Sequence, residues 1–173
     1  EDWKTIDIEN LNFFRERQGD GRRVGIHDLS IRISRGQRIA FIGESGSGKS
    51  TMLALLRGLF TPQEKSFVKI NETATCDFET ISNHVTLLPQ DPEIFESSIL
   101  YNITLGLKFS EEEIKNACDA VQFSSVVSML PHGYQTNIQE KGVNLSGGQK
   151  QRLALARGIL AAKGSDIVLL DEP

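Results

Sequence analysis

Cysteine is nearly absent from this chain. Cys76 and Cys118 are the only two among 173 residues. They sit outside any C-x-x-C or metal-ligand spacing, so neither a disulfide framework nor a zinc cluster is encoded, and both read as free thiols of a reducing compartment. Long apolar runs are missing too. Stretches such as residues 39–42 and 167–170 fall far short of the about 20 residues that cross a bilayer. No basic segment followed by an apolar core opens the sequence, so no secretory leader is expected. Positive charge is not in excess: 19 Lys and Arg stand against 23 Asp and Glu, a net charge of −4. That balance argues against a sequence-independent grip on nucleic acid or anionic lipid. Internal repeats, heptads and low-complexity tracts are absent. What is present is 39% hydrophobic and 24% charged with 15 glycines, the profile of one sizeable soluble globular domain.

The first third reads as strands. Ile6 and Ile8 alternate with charged residues, and Leu11 and Phe13 resume the alternation after a one-residue slip at Glu9 and Asn10, which predicts a bulge. Residues 15–23 are a loop by composition, with Gly19-Asp20-Gly21 at the tip. Leu29, Ile31 and Ile33 alternate again. Residues 38–42, Arg-Ile-Ala-Phe-Ile, predict a strand buried on both faces of a parallel sheet. Residues 50–57 predict a helix, stopped by Gly58 with Pro62 beyond. Ser110 and Glu113 form a capping box before a helix that carries Ile114, Ala117, Cys118 and Val121 on one face. Residues 124–130 predict a short helix ended by Pro131 and Gly133. Leu153, Leu155, Ala156, Ile159 and Leu160 recur at helical spacing over 148–161, Gly164 closes that helix, and residues 166–171 predict a second buried strand.

Three motifs carry chemistry. Gly43, Glu44, Ser45, Gly46, Ser47, Gly48, Lys49 and Ser50 fit G-x-x-x-x-G-K-[ST] at every fixed position, between a predicted strand and a predicted helix, and Thr51 follows. Such glycines let the backbone curl so that successive N–H groups point inward, and the helix start adds partial positive charge, which together make a phosphate cradle. Lys49 would reach the β- and γ-phosphates, and the Ser50 hydroxyl belongs on Mg²⁺. The apolar run ending in Asp171 and Glu172 is weak alone, since buried strands often end in acids. Beside the phosphate loop it reads as a Walker B strand, with Asp171 holding Mg²⁺ and Glu172 polarising the attacking water. Leu145-Ser146-Gly147-Gly148-Gln149 opens the predicted helix at 148. By itself Ser-Gly-Gly before a helix is an N-cap; next to two other phosphate motifs it reads as a further anion site.

With that pentapeptide the chain resembles the nucleotide-binding domain of ATP-binding cassette (ABC) transporters, whose signature it is. The resemblance covers essentially the whole chain. Leu88-Pro89-Gln90 is similar to the Q-loop, which implies that Gln90 contacts Mg²⁺ and the attacking water. Residues 95–99 with Asn102 and Ile103 resemble the segment that follows the Q-loop in exporters, and residues 131–142 resemble the exporter-type stretch before the signature. The resemblance implies an α/β fold: a P-loop core with a mainly parallel sheet, an N-terminal antiparallel β-subdomain and an inserted α-helical subdomain. It divides the chain into 1–90, 91–161 and 162–173, with Lys49 and Asp171 on neighbouring strands. The implied activity is hydrolysis of Mg-ATP to power an exporter at the cytoplasmic face of a membrane, the fragment itself being soluble. The implied partners are transmembrane domains and a second nucleotide-binding domain, head to tail, whose ATP site the Ser146, Gly147, Gly148 and Gln149 stretch completes. A non-transport ABC ATPase, or a domain gated by ATP without hydrolysis, is the alternative; the acidic charge speaks against nucleic acid as a partner. Three departures stand out. Where the family stacks an aromatic residue on adenine, this chain has Arg15 with Phe14 beside it. Pro173 follows the Walker B Glu where exporters often have Ala. The chain stops there, before the family's D-loop and switch histidine, so little turnover is expected of the 173 residues alone.

Overall fold

The computed structural model describes residues 3–16, 19, 21, 23–62, 67–72, 74–138 and 145–171. It comprises two compact units, Glu1–Val85 and Thr86–Pro173.

In the first unit, β1 (Thr5–Glu16) and β2 (Arg23–Ser34) form a long antiparallel hairpin, extended by β3 (Phe67–Ile70) and β4 (Ala74–Cys76) in the order β2-β1-β3-β4. The bulge expected at Glu9 and Asn10 is there: the register slips between Ile8 and Leu11, and Asn10 turns to a φ of 53°. A second slip follows between Leu11 and Phe13, where Asp28 on β2 has a φ of 46° and its amide donates to Asn12 Oδ1. Paired bulges on opposite strands add twist while keeping Ile6, Ile8, Leu11, Phe13, Ile26 and Ile33 buried. The hairpin outruns its expected loop, since Arg15, Glu16 and Arg23 lie within strands. Residues 17, 18, 20 and 22 of that loop lie outside the described ones.

Helix α1 (Lys49–Leu56) packs on β2 and on the short helix α2 (Phe78–Ser82), burying Met52 through Leu56. It ends in a Schellman turn: Leu59 N–H donates to Ala54 O and Gly58 N–H to Leu55 O, with Gly58 at a φ of 77°. Residues 38–42 do not follow the expectation. They form no strand, and Ile42 is 95% exposed. An apolar run buries both faces only where strands flank it and helices cover it, and among the described residues no strand pairs with this one.

In the second unit, β5 (Val85–Leu88) pairs with β6 (Ile167–Leu170). The Asp171 amide donates to Leu88 O at 3.0 Å, which sets the C-terminal ends of the two strands side by side, a parallel pair. Strands paired this way need a long crossover. Here it is the helical segment α3 (Ile99–Thr104), α4 (Glu111–Ala120), α5 (Ser124–Ser128) and α6 (Gly147–Ala161). These helices share one core that includes Ile99, Ile103, Cys118, Phe123, Leu153 and Leu160. The Ser110–Glu113 capping box forms as expected. Cys118 is a free, buried thiol whose pKa burial pushes up. The strand expected to be buried at 166–171 is buried only at Leu169, with Val168 and Leu170 about half exposed. Among the described residues β6 has the single strand neighbour β5. Antiparallel sheet, parallel pair and helical segment together make the α/β class that was anticipated.

Candidate functional site

The phosphate loop folds as its glycines dictate. Gly46 and Gly48 hold φ values of 82° and 96°, a region in which other residues are strained. Ser47 N–H donates to Glu44 O, tightening the turn, and a Cβ on Gly43 would fall 2.7 Å from Ser47 Oγ. Gly48 is the N-cap of α1 and so offers no side-chain oxygen to the first-turn amides; no acid stands in that turn. The helix start therefore keeps its N–H groups and positive end for an outside anion. Lys49 Nζ donates to the carbonyls of Gly43 and Glu44, each at 2.8 Å, which places the ammonium inside the curl of the loop. N–H donors and a cation, with no acid in the first turn of the helix, are the donor set a polyphosphate needs. Ser50 is exposed in the first turn of α1 and Thr51 is half-buried beside it.

The hairpin supplies a neighbouring wall. Phe13 pairs with Ile26 and Arg15 with Val24, with no slip between the two pairs, so these four residues share one face. A Cβ on Gly48 would lie 3.6 Å from Ile26 Cγ1, so the phosphate loop meets the hairpin on that face. Phe60 lies against it as well. Its ring stacks on Phe13 with centroids 5.2 Å apart, and the Arg15 guanidinium carbon sits 5.3 Å from its centroid. Phe14 belongs to the opposite face, paired with Gly25 and tilted against His27 at 5.8 Å.

The other motif residues are in the second unit. Asp171 and Gln90 follow the C-terminal ends of the adjacent strands β6 and β5. Glu172 and Pro173 lie outside the described residues, as do 139–144 of the stretch before the signature. Ser146 is the N-cap of α6 in a complete capping box: its Oγ accepts from Gln149 N–H and its own N–H donates to Gln149 Oε1 at 2.8 Å. The capping role is thus real. It does not account for Gly147 and Gly148, where an added Cβ meets nothing within 4 Å. Glycine in a helix costs about 1 kcal/mol relative to alanine, and among the described residues no neighbour requires it here.

Two side chains organise this unit: Asn102, which the sequence places in the exporter-like segment without a role of its own, and Arg157, which no motif marks. Asn102, fully buried, donates from Nδ2 to Phe95 O and Ser98 O and accepts at Oδ1 from Phe95 N–H. Arg157 of α6 donates from Nε to Asn102 O, from one Nη to Glu93 O at 2.9 Å and from the other to Asn102 Oδ1, with Phe95 beneath it at 5.5 Å. Burial lowers its pKa. Residues 97–99 are tied in turn to 136–138, through Ile99 N–H to Thr136 O and Ile138 N–H to Ser97 O, each at 2.9 Å. The available signal was an arginine beside the apolar stripe of Leu153, Ala156 and Leu160, a place where a cation needs a partner.

Comparison with known proteins gives a consistent picture. A family model described as ABC transporter matches residues 26–173. The chain is 42% identical over 151 residues to the glutathione/L-cysteine transport system ATP-binding/permease protein CydD of Bacillus subtilis (strain 168), covering 86% of this chain and 26% of that protein. It is 39% identical over 141 residues to the pediocin PA-1 transport/processing ATP-binding protein PedD of Pediococcus acidilactici, covering 79% of this chain and 20% of that protein. A solved structure of a bacterial Atm1-family ABC exporter with ATP bound superposes with a TM-score of 0.78 at 32% identity, over 98% of this chain and 29% of that one. The chain thus spans between a fifth and a third of the length of these relatives.

Proposed function

The chain belongs to the ABC transporter family, and from that premise we propose that it is the ATPase part of an exporter, binding Mg-ATP at residues 43–51 and hydrolysing it. The observation that carries this reading is the phosphate loop, with the Lys49 ammonium inside its curl and the amides of α1 left without a side-chain cap. Lys49 would exchange its two carbonyl partners for phosphate oxygens, a trade of dipoles for full negative charges. Ser50, Asp171 and Gln90 are the oxygen donors suited to Mg²⁺. When bound, the ion neutralises charge on the β- and γ-phosphates. Glu172 accepts the proton of the attacking water. Arg15, on the face of the hairpin that meets the phosphate loop, is better placed for the base than Phe14 on the other face.

The partners are transmembrane domains and a second copy of this domain. Open space over Gly147 and Gly148 supports close approach of a phosphate held by that second copy, with Ser146 and Gln149 keeping the helix start in shape. Among the described residues no helix is long and apolar enough to cross a membrane, which suits a domain attached to the cytoplasmic face through those partners. Relatives whose names specify transport support export over a non-transport ATPase.

The test is Glu172→Gln in the complete protein. Bound ATP is retained and steady-state phosphate release falls about a hundredfold or more, the scale of a lost general base. Turnover at the parent rate would remove Glu172 from the reaction.

A further inference from the structure

Arg15, the residue proposed above to meet the base, is a cation, and the structure gives that cation a support. Arg15 is exposed at the end of β1, two residues beyond Phe13 on the face that meets the phosphate loop. An exposed arginine on a strand edge ordinarily samples many rotamers. Here Phe60 lies against both Phe13 and Arg15, its ring stacked on the first and facing the guanidinium of the second. Phe60 reaches that place through the Schellman turn at Gly58, which carries the chain from α1 back across the hairpin. Val24, the cross-strand partner of Arg15, is 41% exposed and puts an apolar surface beside it.

We propose that Phe60 is a positioning residue that holds the Arg15 guanidinium as a flat cationic plate, and that the plate, not an aromatic ring, contacts the purine base of the bound nucleotide. The inference rests on the reading of residues 43–51 as a nucleotide site. A guanidinium is planar and has two faces; with one turned to Phe60, the other is the face that a base would use. Phe60 thereby lowers the entropy that Arg15 loses on meeting the ligand. Lysine, a point charge on a flexible stem, cannot make this plate.

Calorimetry with ATP and with inorganic tripolyphosphate, which lacks the base, tests the proposal on the full chain. Arg15→Ala weakens ATP about two- to fivefold, the effect of an exposed cation–π contact, and leaves tripolyphosphate unchanged. Phe60→Leu keeps apolar volume against Phe13 but removes the π-face. It produces a similar ATP loss, also without effect on tripolyphosphate, and Phe60→Tyr restores the parent affinity. In the Arg15→Ala background Phe60→Leu costs ATP nothing more, an outcome that a purely structural role for Phe60 does not give. Unchanged ATP affinity in Arg15→Ala overturns the proposal, as does an equal Phe60→Leu loss with and without Arg15. A parent chain that binds tripolyphosphate as tightly as ATP overturns it while leaving the phosphate loop intact. A parent that binds neither brings down the nucleotide reading with it.

Discussion

Arg157→Ala should be far more damaging than a typical surface substitution. The side chain serves acceptors on two segments: Asn102 O and Oδ1 in α3, and Glu93 O in the stretch that precedes it. Asn102 O belongs to the last turn of a six-residue helix, where carbonyls have no intrahelical partner, so Arg157 acts there as a charged C-terminal cap. A hydrogen bond from a charged donor contributes about 1.5–3 kcal/mol, and an orphaned buried acceptor costs about 1–3 kcal/mol. Glu93 is exposed, so water can replace the arginine at its carbonyl, and only the contacts to fully buried Asn102 are lost without replacement. Discounted for the half-burial of Arg157, the expected loss is about 2–4 kcal/mol, a large share of the about 5–15 kcal/mol that stabilises an ordinary domain. Urea unfolding followed by circular dichroism measures it. Arg157→Lys should recover little, because a single ammonium cannot reproduce the fork that reaches both segments. Stability within about 0.5 kcal/mol of the parent, the range of an inconsequential surface change, would refute the reasoning.

Assembly gives a second prediction. In Glu172→Gln, which retains ATP, sedimentation should show a dimer that requires Mg-ATP and is abolished by Ser146→Arg, since the arginine removes the cap and fills the space over Gly147 and Gly148; a monomer at saturating Mg-ATP, or a dimer indifferent to Ser146→Arg, counts against it. Acid stability gives a third. The Lys163 ammonium and then the Ser110 cap hold the Glu113 carboxyl down at about 2, against an ordinary value of 4.5. A depressed carboxylate stabilises the native state above its unfolded pKa and ceases to do so as pH falls through its folded one. Thermal melts should therefore show Glu113→Gln less stable than the parent at neutral pH, with the gap closing between about pH 4.5 and pH 2; a gap independent of pH would assign the loss to something other than the charge.

The sequence announced the elements whose periodicity and punctuation agree. The β1–β2 hairpin with its bulge, α1 with its Gly58 stop, and α4 with its Ser110 cap all follow local rules that the folded chain keeps. Residues 166–171 do form the expected strand, but its burial, like the strand expected at 38–42, departs from the pattern for one shared reason. A continuous apolar run states only that a strand could be buried, and burial is conferred by neighbouring strands that no local pattern specifies. Only Leu169 of β6 is buried, and Ile42 is nearly bare. The short elements β3, β4, α2 and α3 went unread, being three to six residues long and below the length at which periodicity speaks. Within the site, the phosphate loop was legible because its chemistry is contiguous. Phe60 and Arg157 were not, because each acts on a residue distant in sequence: Phe60 on Arg15, and Arg157 on Asn102. Strand register was also beyond the sequence by a residue; the pairing of Phe13 with Ile26 puts Arg15 on the Phe13 face and Phe14 on the other, which is what the proposal for Arg15 builds on.

The most direct test of the central claim is a calorimetric titration of Mg-ATP into the parent protein and into Lys49→Ala. Lys49 is half-buried and its ammonium bonds two loop carbonyls, whose exposed surroundings let water take its place, so the fold should survive the substitution. What is lost is the attraction between a cation and the phosphates, about 1 kcal/mol per unit pair in water and about 4 kcal/mol at the effective dielectric of a protein surface. For a site between those limits and a ligand with several negative charges, the expected loss is about 2–4 kcal/mol, or roughly 30- to 1000-fold in affinity. A folded Lys49→Ala protein with affinity reduced by that factor is the predicted result. Equal affinity in the two proteins would contradict the assignment of residues 43–51 as the nucleotide site.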